Sequence, residues 1–244
     1  MAATWIARAQ QLTAQARHRL EVEEEFDEYA EEFEEHLVTV LDYKLPEILA
    51  TKLAHHASLE SEHLAQPRRV VDLGCGTGLC GRAIRRLLGE SVELIGVDLS
   101  ACMLARAKED GAYDALFQRD LLAHLERHER AEAVDVLLAA DVLIYVEHLE
   151  KVFREAHRVL KRGGWFLFST ELALDTEVTE GRVVRESGRI AHSRGYIEAL
   201  ASEHSLAVLE AETIPLRIED DVPLPGDCYV LQRDMAKDLR DRDA

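Results

Sequence analysis

The sequence predicts an α/β fold in which a mostly parallel sheet is covered by helices on both faces and preceded by a helical N-terminal segment. Three observations carry that expectation. From Arg68 onward, short apolar runs of strand character alternate five times with helical patterns. The first of these runs leads directly into alternating glycines and then a helix. Finally, 244 residues at 47% hydrophobic content supply enough apolar material for one large core, which excludes disorder of the whole chain.

In chain order, residues 1–20 contain Arg8, Arg17 and Arg19 and no acid. Trp5, Ile6, Ala9, Leu12, Ala16 and Leu20 fall at helical spacing, which fits an amphipathic helix, while the acid-free composition also resembles an organellar transit peptide, although it lacks serine. Residues 21–35 hold ten carboxylates and no base. Within and after that run, Val22, Phe26, Tyr29, Phe33, Leu37 and Val40 make one apolar stripe, so a helix with a docked face and a wet acidic face is expected. Pro46 suits the first turn of a second helix, Pro46–Leu53, and a polar stretch then leads to Pro67. The strands are expected at Arg69–Asp72, Val92–Val97, Ala115–Gln118, Val134–Ala139 and Trp165–Ser169, and the helices at Leu79–Leu88, Ala101–Lys108, Leu121–Arg127 and Leu149–Leu160. After Thr170 the rhythm is irregular. A helix near Arg194–His204 and strands near Leu206–Ile218 and Cys228–Gln232 follow, the last two pairing antiparallel through a turn region at Pro223, Pro225 and Gly226. The division expected is a helical extension and cap at 1–66, a main domain at 67–232 and a frayed charged tail at 233–244.

The chain carries 47 acidic and 29 basic side chains, a formal charge of -18. Phosphate neutralisation needs the opposite balance, so nucleic acid is not an expected partner. Cys75, Cys80, Cys102 and Cys228 form no CxxC pair and have no histidine at ligand spacing, so neither a metal site nor a disulfide framework is expected, and a reducing, cytoplasmic compartment is the simpler expectation. No apolar run reaches the roughly 18 residues of a membrane span.

The chemistry concentrates at Val70–Leu79, where a strand meets Gly74, Gly76 and Gly78 and then a helix. Glycines there permit a tight turn and close approach of a ligand to the backbone. The second strand ends at Asp98, where a carboxylate can accept from both hydroxyls of a ribose. Together they specify a nucleoside-containing cofactor. Gly76, Gly78 and Gly81 also spell the dinucleotide pattern, with Asp98 at a suitable distance, so an NAD site is one alternative. Asp72 before the first glycine, Asp120 followed by Leu121, and Asp141 after the fourth strand favour a positively charged ligand, S-adenosylmethionine, over a pyrophosphate.

At these residues the chain resembles the class I S-adenosylmethionine-dependent methyltransferases. Asp72–Gly78 is similar to that superfamily's first motif, Gly96–Ser100 with Met103 and Leu104 to the second, Gln118–Leu121 to the third, Val134–Asp141 to the fourth, and Val159–Trp165 to the turn before strand five. The resemblance implies a Rossmann-like, seven-stranded, mostly parallel sheet. It also implies cofactor contacts from Tyr29, Asp72, Gly74, Cys75, Gly76, Gly78, Asp98, Leu99, Met103, Asp120, Leu121 and Ala140. Phe26–Leu37, Gly188–Ser193 and Leu216–Glu219 further resemble small methyltransferases that often follow tetratricopeptide repeats, and in related enzymes residues like Tyr29 and Phe33 close a leading helix over the cofactor.

Methyl transfer from a sulfonium is an in-line displacement that needs positioning, water exclusion and, for some acceptors, a base. Asp141, Tyr145 and His148 after strand four and His192 in the irregular stretch are the candidates. Arg189 and Arg217 suit a substrate carboxylate or, with Glu186 and Glu219, surface ion pairs, the second being favoured. The expected activity is methylation of an O, N or C atom of a small molecule. A protein acceptor with a basic segment, an NAD-dependent oxidoreductase and a non-catalytic cofactor binder are the rivals, and oligomeric state stays open.

Overall fold

The computed structural model describes residues 14–31, 33–35, 43–59, 67–219 and 222–234. Helix α1 (Ala14–Tyr29) and a helical turn at Phe33–Glu35 lead to α2 (Leu45–Leu59). Then β1 (Arg69–Leu73), α3 (Leu79–Leu88), β2 (Glu93–Asp98), α4 (Ala101–Asp110), β3 (Ala115–Gln118), α5 (Leu121–His128) and β4 (Val134–Ala139) follow in strict alternation. A single turn at Leu143–Tyr145 and α6 (Glu150–Val159) precede β5 (Leu160–Ala173). Two short strands, β6 (Arg182–Val184) and β7 (Ile190–Ser193), α7 (Arg194–Glu203) and the strands β8 (Leu206–Glu219) and β9 (Val222–Arg233) complete the order.

β1 lies between β2 and β4, with Asp72 opposite Gly96 on one side and Leu138 on the other, and the parallel part runs β3-β2-β1-β4-β5. The long strand β5 then changes neighbours. Its residues up to Phe168 pair β4, while Glu171 pairs Gly226 of β9 antiparallel and Ala191 of β7 parallel. Because β9 occupies one edge, β7 takes the edge that β4 vacates, and the β6–β7 flap stands over the carboxyl ends of the central strands.

Period-two alternation on β5 builds a core on each face. Phe166 and Phe168 join Phe153 and Tyr229 on one side, while Trp165 and Leu167 join Leu45, Leu49 and Leu53 of α2 on the other. Each of these large side chains, fully removed from water, contributes about 1.5–3 kcal/mol. β4 is buried throughout, and its one charged residue, Asp135, is satisfied by the Arg68 and Arg69 amides and by Lys161.

Among the described residues there are nine strands rather than seven. The two unexpected ones, β6 and β7, have three and four residues, too few to show a period. The turn expected at Pro223, Pro225 and Gly226 is instead part of β9, where these residues pair Ile218, Pro215 and Ile214. Arg233, assigned to the tail, is the last residue of β9 and donates to the Leu160 carbonyl at 2.5 Å. α2 runs to Leu59, six residues beyond the expected end. The apolar stripe belongs to α1 and the turn after it; Leu37, Val40 and residues 1–13 lie outside the described residues. No described helix is long and apolar enough to cross a membrane.

Candidate active site

The carboxyl ends of β1, β2 and β4, α1 above them and the β6–β7 flap enclose a cavity of about 950 Å³. Its floor is the glycine loop. Gly74, Gly76 and Gly78 have φ of 69, 53 and 98°, and a Cβ on Gly74 would collide with Val142, so geometry and space both require glycine there. The Gly74 and Cys75 amides donate to the Val97 carbonyl at 2.7 and 3.0 Å, which ties the loop to the end of β2. Gly74, Cys75 and Gly76 line the cavity; Gly78 lies behind it, against Tyr113.

Asp98 reaches across to this loop. One carboxylate oxygen accepts from the Gly76 amide at 2.8 Å and the other from the Ser100 amide at 2.9 Å. Burial pushes its carboxyl above the usual range, against the pull of these backbone bonds. Asp98 lines the cavity, and each of its oxygens, accepting one of these bonds, has capacity for a second, as recognition of a diol requires. Leu99, Met103, Leu121 and Ala140 also line the cavity. Asp120 lines it while capping α5 through the Ala123 amide at 2.8 Å and pairing with Arg19 of α1 at 2.9 Å.

Asp72 does not line the cavity. Its carboxylate accepts from the Tyr113 hydroxyl at 2.6 Å, and its Oδ1 is buried without a hydrogen-bond partner. Burial pushes its carboxyl up to about 7, opposed by the Tyr113 bond and reinforced by the Asp98 charge. Tyr113 also accepts from the Gly81 amide at 3.1 Å, so this third glycine serves packing under a ring.

α1 roofs the glycine-loop half of the cavity. Tyr29 and Phe33 meet edge to face at 5.4 Å, and Phe26 bridges Phe33 and Tyr145 at 5.9 and 5.5 Å. Asp27 secures the helix from outside: its Oδ1 accepts from the Ser100 hydroxyl at 2.5 Å and the Cys102 amide at 3.1 Å. The sequence marks Phe26 only as part of the apolar stripe, and inside an acidic run nothing distinguishes Asp27.

On the other side of β1, Asp141 occupies a left-handed conformation (φ 53°) and both its oxygens accept from Arg217 Nη1, at 2.8 and 2.7 Å. Its charge is therefore compensated, unlike the bare negative potential expected of it. Arg217 also donates to Glu171 at 2.5 Å and Glu219 at 2.7 Å, and is 3% exposed. Burial alone would lower its affinity for a proton, but Asp141, Glu219 and Glu171 reverse the sign. Arg189 pairs with Glu219 at 2.7 Å and Glu171 at 3.4 Å. The surface ion pairs expected for these arginines are thus a largely buried network, and Glu219 rather than Glu186 is their partner. The sequence could not reveal this, because Arg217 and Asp141 stand 76 residues apart.

Tyr145 and His148 line the same half. Burial and the Asp141 charge raise the Tyr145 phenol, so it stays protonated; His148 is exposed at the rim, 3.8 Å from Glu147. His192, expected to touch substrate, does not line the cavity. It is fully buried, stacked on Tyr196 at 5.9 Å, and neither ring nitrogen has a hydrogen-bond partner. Among the described residues, no group of three or more His, Cys, Asp or Glu is placed to hold a metal ion.

Comparison with known proteins meets this geometry at its centre. Residues 71–168 match the methyltransferase domain family. That span runs from β1 to β5 and contains the glycine loop, Asp98, Asp120 and Asp141. Among curated proteins, the malonyl-[acyl-carrier protein] O-methyltransferase of Legionella pneumophila is 28% identical over 161 residues, 63% of this chain and 56% of that protein. The mitochondrial ubiquinone biosynthesis O-methyltransferase of Mus musculus is 30% identical over 128 residues, 50% of this chain and 33% of that protein. The chain thus spans between a third and somewhat over half of these relatives. Among solved structures, the Burkholderia thailandensis 1,6-didemethyltoxoflavin-N1-methyltransferase, with S-adenosylhomocysteine bound, superposes with a TM-score of 0.65 at 14% identity, covering 91% of this chain and 92% of that one. A [4+2]-cyclase, SpnF, superposes with a TM-score of 0.60 at 15% identity, covering 77% and 80%. These likenesses establish the methyltransferase-type fold, and the cyclase among them illustrates that fold alone does not fix the reaction.

Proposed function

We propose that this protein transfers a methyl group from S-adenosylmethionine to an O, N or C atom of a small-molecule acceptor. The observation that carries this reading is the glycine loop pinned by Asp98 at the floor of a cavity of about 950 Å³, within the stretch that matches the methyltransferase domain family. The residues suit the cofactor: Gly74–Gly76 give close backbone approach, Asp98 offers acceptors for ribose hydroxyls, Leu99, Met103 and Leu121 give apolar walls, and Tyr29 closes from α1. Asp72, buried with an unpartnered oxygen and joined through the Tyr113 hydroxyl to the Gly81 amide, supports the amino-acid end from behind the loop. Asp120 serves the adenine side while anchoring α1 through Arg19. When bound, the cofactor supplies an electrophilic methyl on a sulfonium; the chain's own work is alignment and exclusion of water.

At the acceptor end, Asp141 is bound through both oxygens to Arg217, Tyr145 offers a protonated hydroxyl, and His148 stands exposed at the rim of the cavity. His192 has no part in this arrangement. The catalytic unit is residues 67–232, with 1–66 as extension and cap and 233–244 as tail, Arg233 excepted; the finer kinship with methyltransferases that follow tetratricopeptide repeats belongs to the same proposal. Four free cysteines, three of them buried, support a reducing, cytoplasmic setting, and the charge of -18 supports no nucleic acid partner.

Isothermal titration with S-adenosylhomocysteine and NAD⁺ tests the reading. Saturable heat with the first and none with the second is expected; the reverse would replace it with the oxidoreductase reading. Mass analysis of candidate acceptors incubated with S-adenosylmethionine separates small-molecule from protein substrates.

A further inference from the structure

On the β4–β5 side of β1 the cavity wall contains two guanidinium groups, and both are already engaged. Arg217 makes two hydrogen bonds to Asp141, one to Glu171 and one to Glu219. Arg189 gives Nη1 to Glu219 at 2.7 Å, while its Nε lies 3.2 Å from the Ser187 hydroxyl and 3.4 Å from Glu171. A substrate carboxylate entering here would have to displace one of these partners. It would also meet unfavourable charge: three carboxylates face two guanidiniums, a formal balance of minus one.

The free lone pairs point to the opposite chemistry. Among the described residues, the Arg217 bond and the Arg189 ion pair to Glu219 both fall on Oε1, and Oε2, on a side chain one-third exposed, is the oxygen that can receive a donor. Asp141 lines the same wall with one accepted bond per oxygen, and a carboxylate oxygen accepts two.

We infer, on the basis of the methyltransferase reading above, that the acceptor is anchored by a hydrogen-bond donor, an ammonium or hydroxyl, against Glu219 and Asp141, and that this wall excludes carboxylates. Arg217 and Arg189 act as positioning residues that hold the carboxylates in place. The anchoring ammonium is distinct from the methylated atom, because a protonated amine has no lone pair to attack with.

Ligand-observed NMR titration of the full chain with phenethylamine, phenethyl alcohol and phenylacetate, with and without S-adenosylhomocysteine, tests the inference. The amine and the alcohol are expected to bind at least about tenfold more tightly than phenylacetate. Glu219→Gln, which brings the wall to neutrality, should narrow that gap several-fold; Arg189→Gln, which adds to its negative charge, should widen it. Thermal unfolding of each variant checks that it folds. Phenylacetate binding as tightly as the amine, no binding of any probe at millimolar concentration, or a ranking unmoved in both variants would overturn the inference. So would a Glu219→Gln effect confined to S-adenosylmethionine affinity, since the excess charge would then serve the sulfonium. Absence of S-adenosylhomocysteine binding would strike the methyltransferase reading instead, while the probe ranking without it still judges the wall.

Discussion

Arg217→Met removes the cation shared by Asp141, Glu171 and Glu219 and leaves their charges facing one another. Breaking a buried ion pair by deleting one partner costs about 3–5 kcal/mol, because the remaining charge is desolvated without compensation. Here Glu171 is 4% exposed, while Glu219 is one-third exposed and both keep Arg189 as neighbour, so the lower end, about 3 kcal/mol, is expected. For a domain of this size that corresponds to a fall in melting temperature of about 6–12 °C. The pH dependence carries a sign. In the wild-type chain burial raises the Glu219 carboxyl, but the Arg217 and Arg189 bonds outweigh it and the net pKa is lowered, so its contribution is present above the ordinary glutamate value and lost as pH falls through the folded value. In the variant the stranded carboxylates titrate higher than in the unfolded chain, so acidification relieves them. Thermal unfolding from pH 8 to pH 5 should therefore show the two curves converging. An equal melting temperature at pH 8, or a deficit independent of pH, would refute the ion-network account, and Arg217→Met combined with Glu171→Leu should recover part of the loss.

Asp72→Asn should stabilise the ligand-free chain by a few kcal/mol at pH 8, by less than half of that at pH 5 and by little at pH 3. Its folded pKa, about 7, lies above the unfolded value, so the stability linked to its proton is complete below the unfolded value and lost as pH rises toward and through 7; calorimetric unfolding across these pH values measures the difference. His192→Phe should leave methyl transfer near wild type and stabilise the chain at pH 5. Burial, with Arg182 adding, lowers the ring to about 4, so its contribution is complete above the ordinary histidine value and lost as pH falls toward 4; a large loss of turnover in a folded variant would count against its placement outside the cavity. Asp27→Ala removes the bonds to Ser100 and Cys102 and should speed release of S-adenosylhomocysteine several-fold in stopped-flow measurements, with melting temperature lowered by only a few degrees.

The sheet from β1 to β5 was legible because each strand is a continuous apolar run and each intervening helix has its own period, so local pattern and global fold agree. The glycine-loop side of the cavity was legible for a related reason: Gly74, Gly76, Asp98 and Leu121 lie on strand ends and turns whose position follows from the alternation. The opposite side was not. Arg217 and Glu219 near the end of β8, Glu171 on β5 and Asp141 after β4 come together only through strand pairing across long sequence distances, and no window of sequence shows which arginine will be buried. Asp72 and Asp141 were both read as open negative charge, yet one is held by Tyr113 and the other by Arg217. Composition counts a carboxylate but cannot see the partner that neutralises it or the burial that protonates it. His192 failed for the complementary reason: an imidazole's intrinsic chemistry says nothing about whether a ring such as Tyr196 will seal it off.

The change of partners along β5 has a consequence for how such a chain diversifies. Up to Phe168 the strand is fixed on both sides by β4 and β9, whereas from Glu171 onward its other edge is taken by β7, which returns after the excursion at 174–189. The central strands and the glycine loop do not depend on that excursion for their pairing. Lengthening or replacing the flap would remodel the ceiling over one side of the cavity while the glycine-loop side kept its register, so that side can be reshaped by insertion at one place in the chain without rebuilding the other.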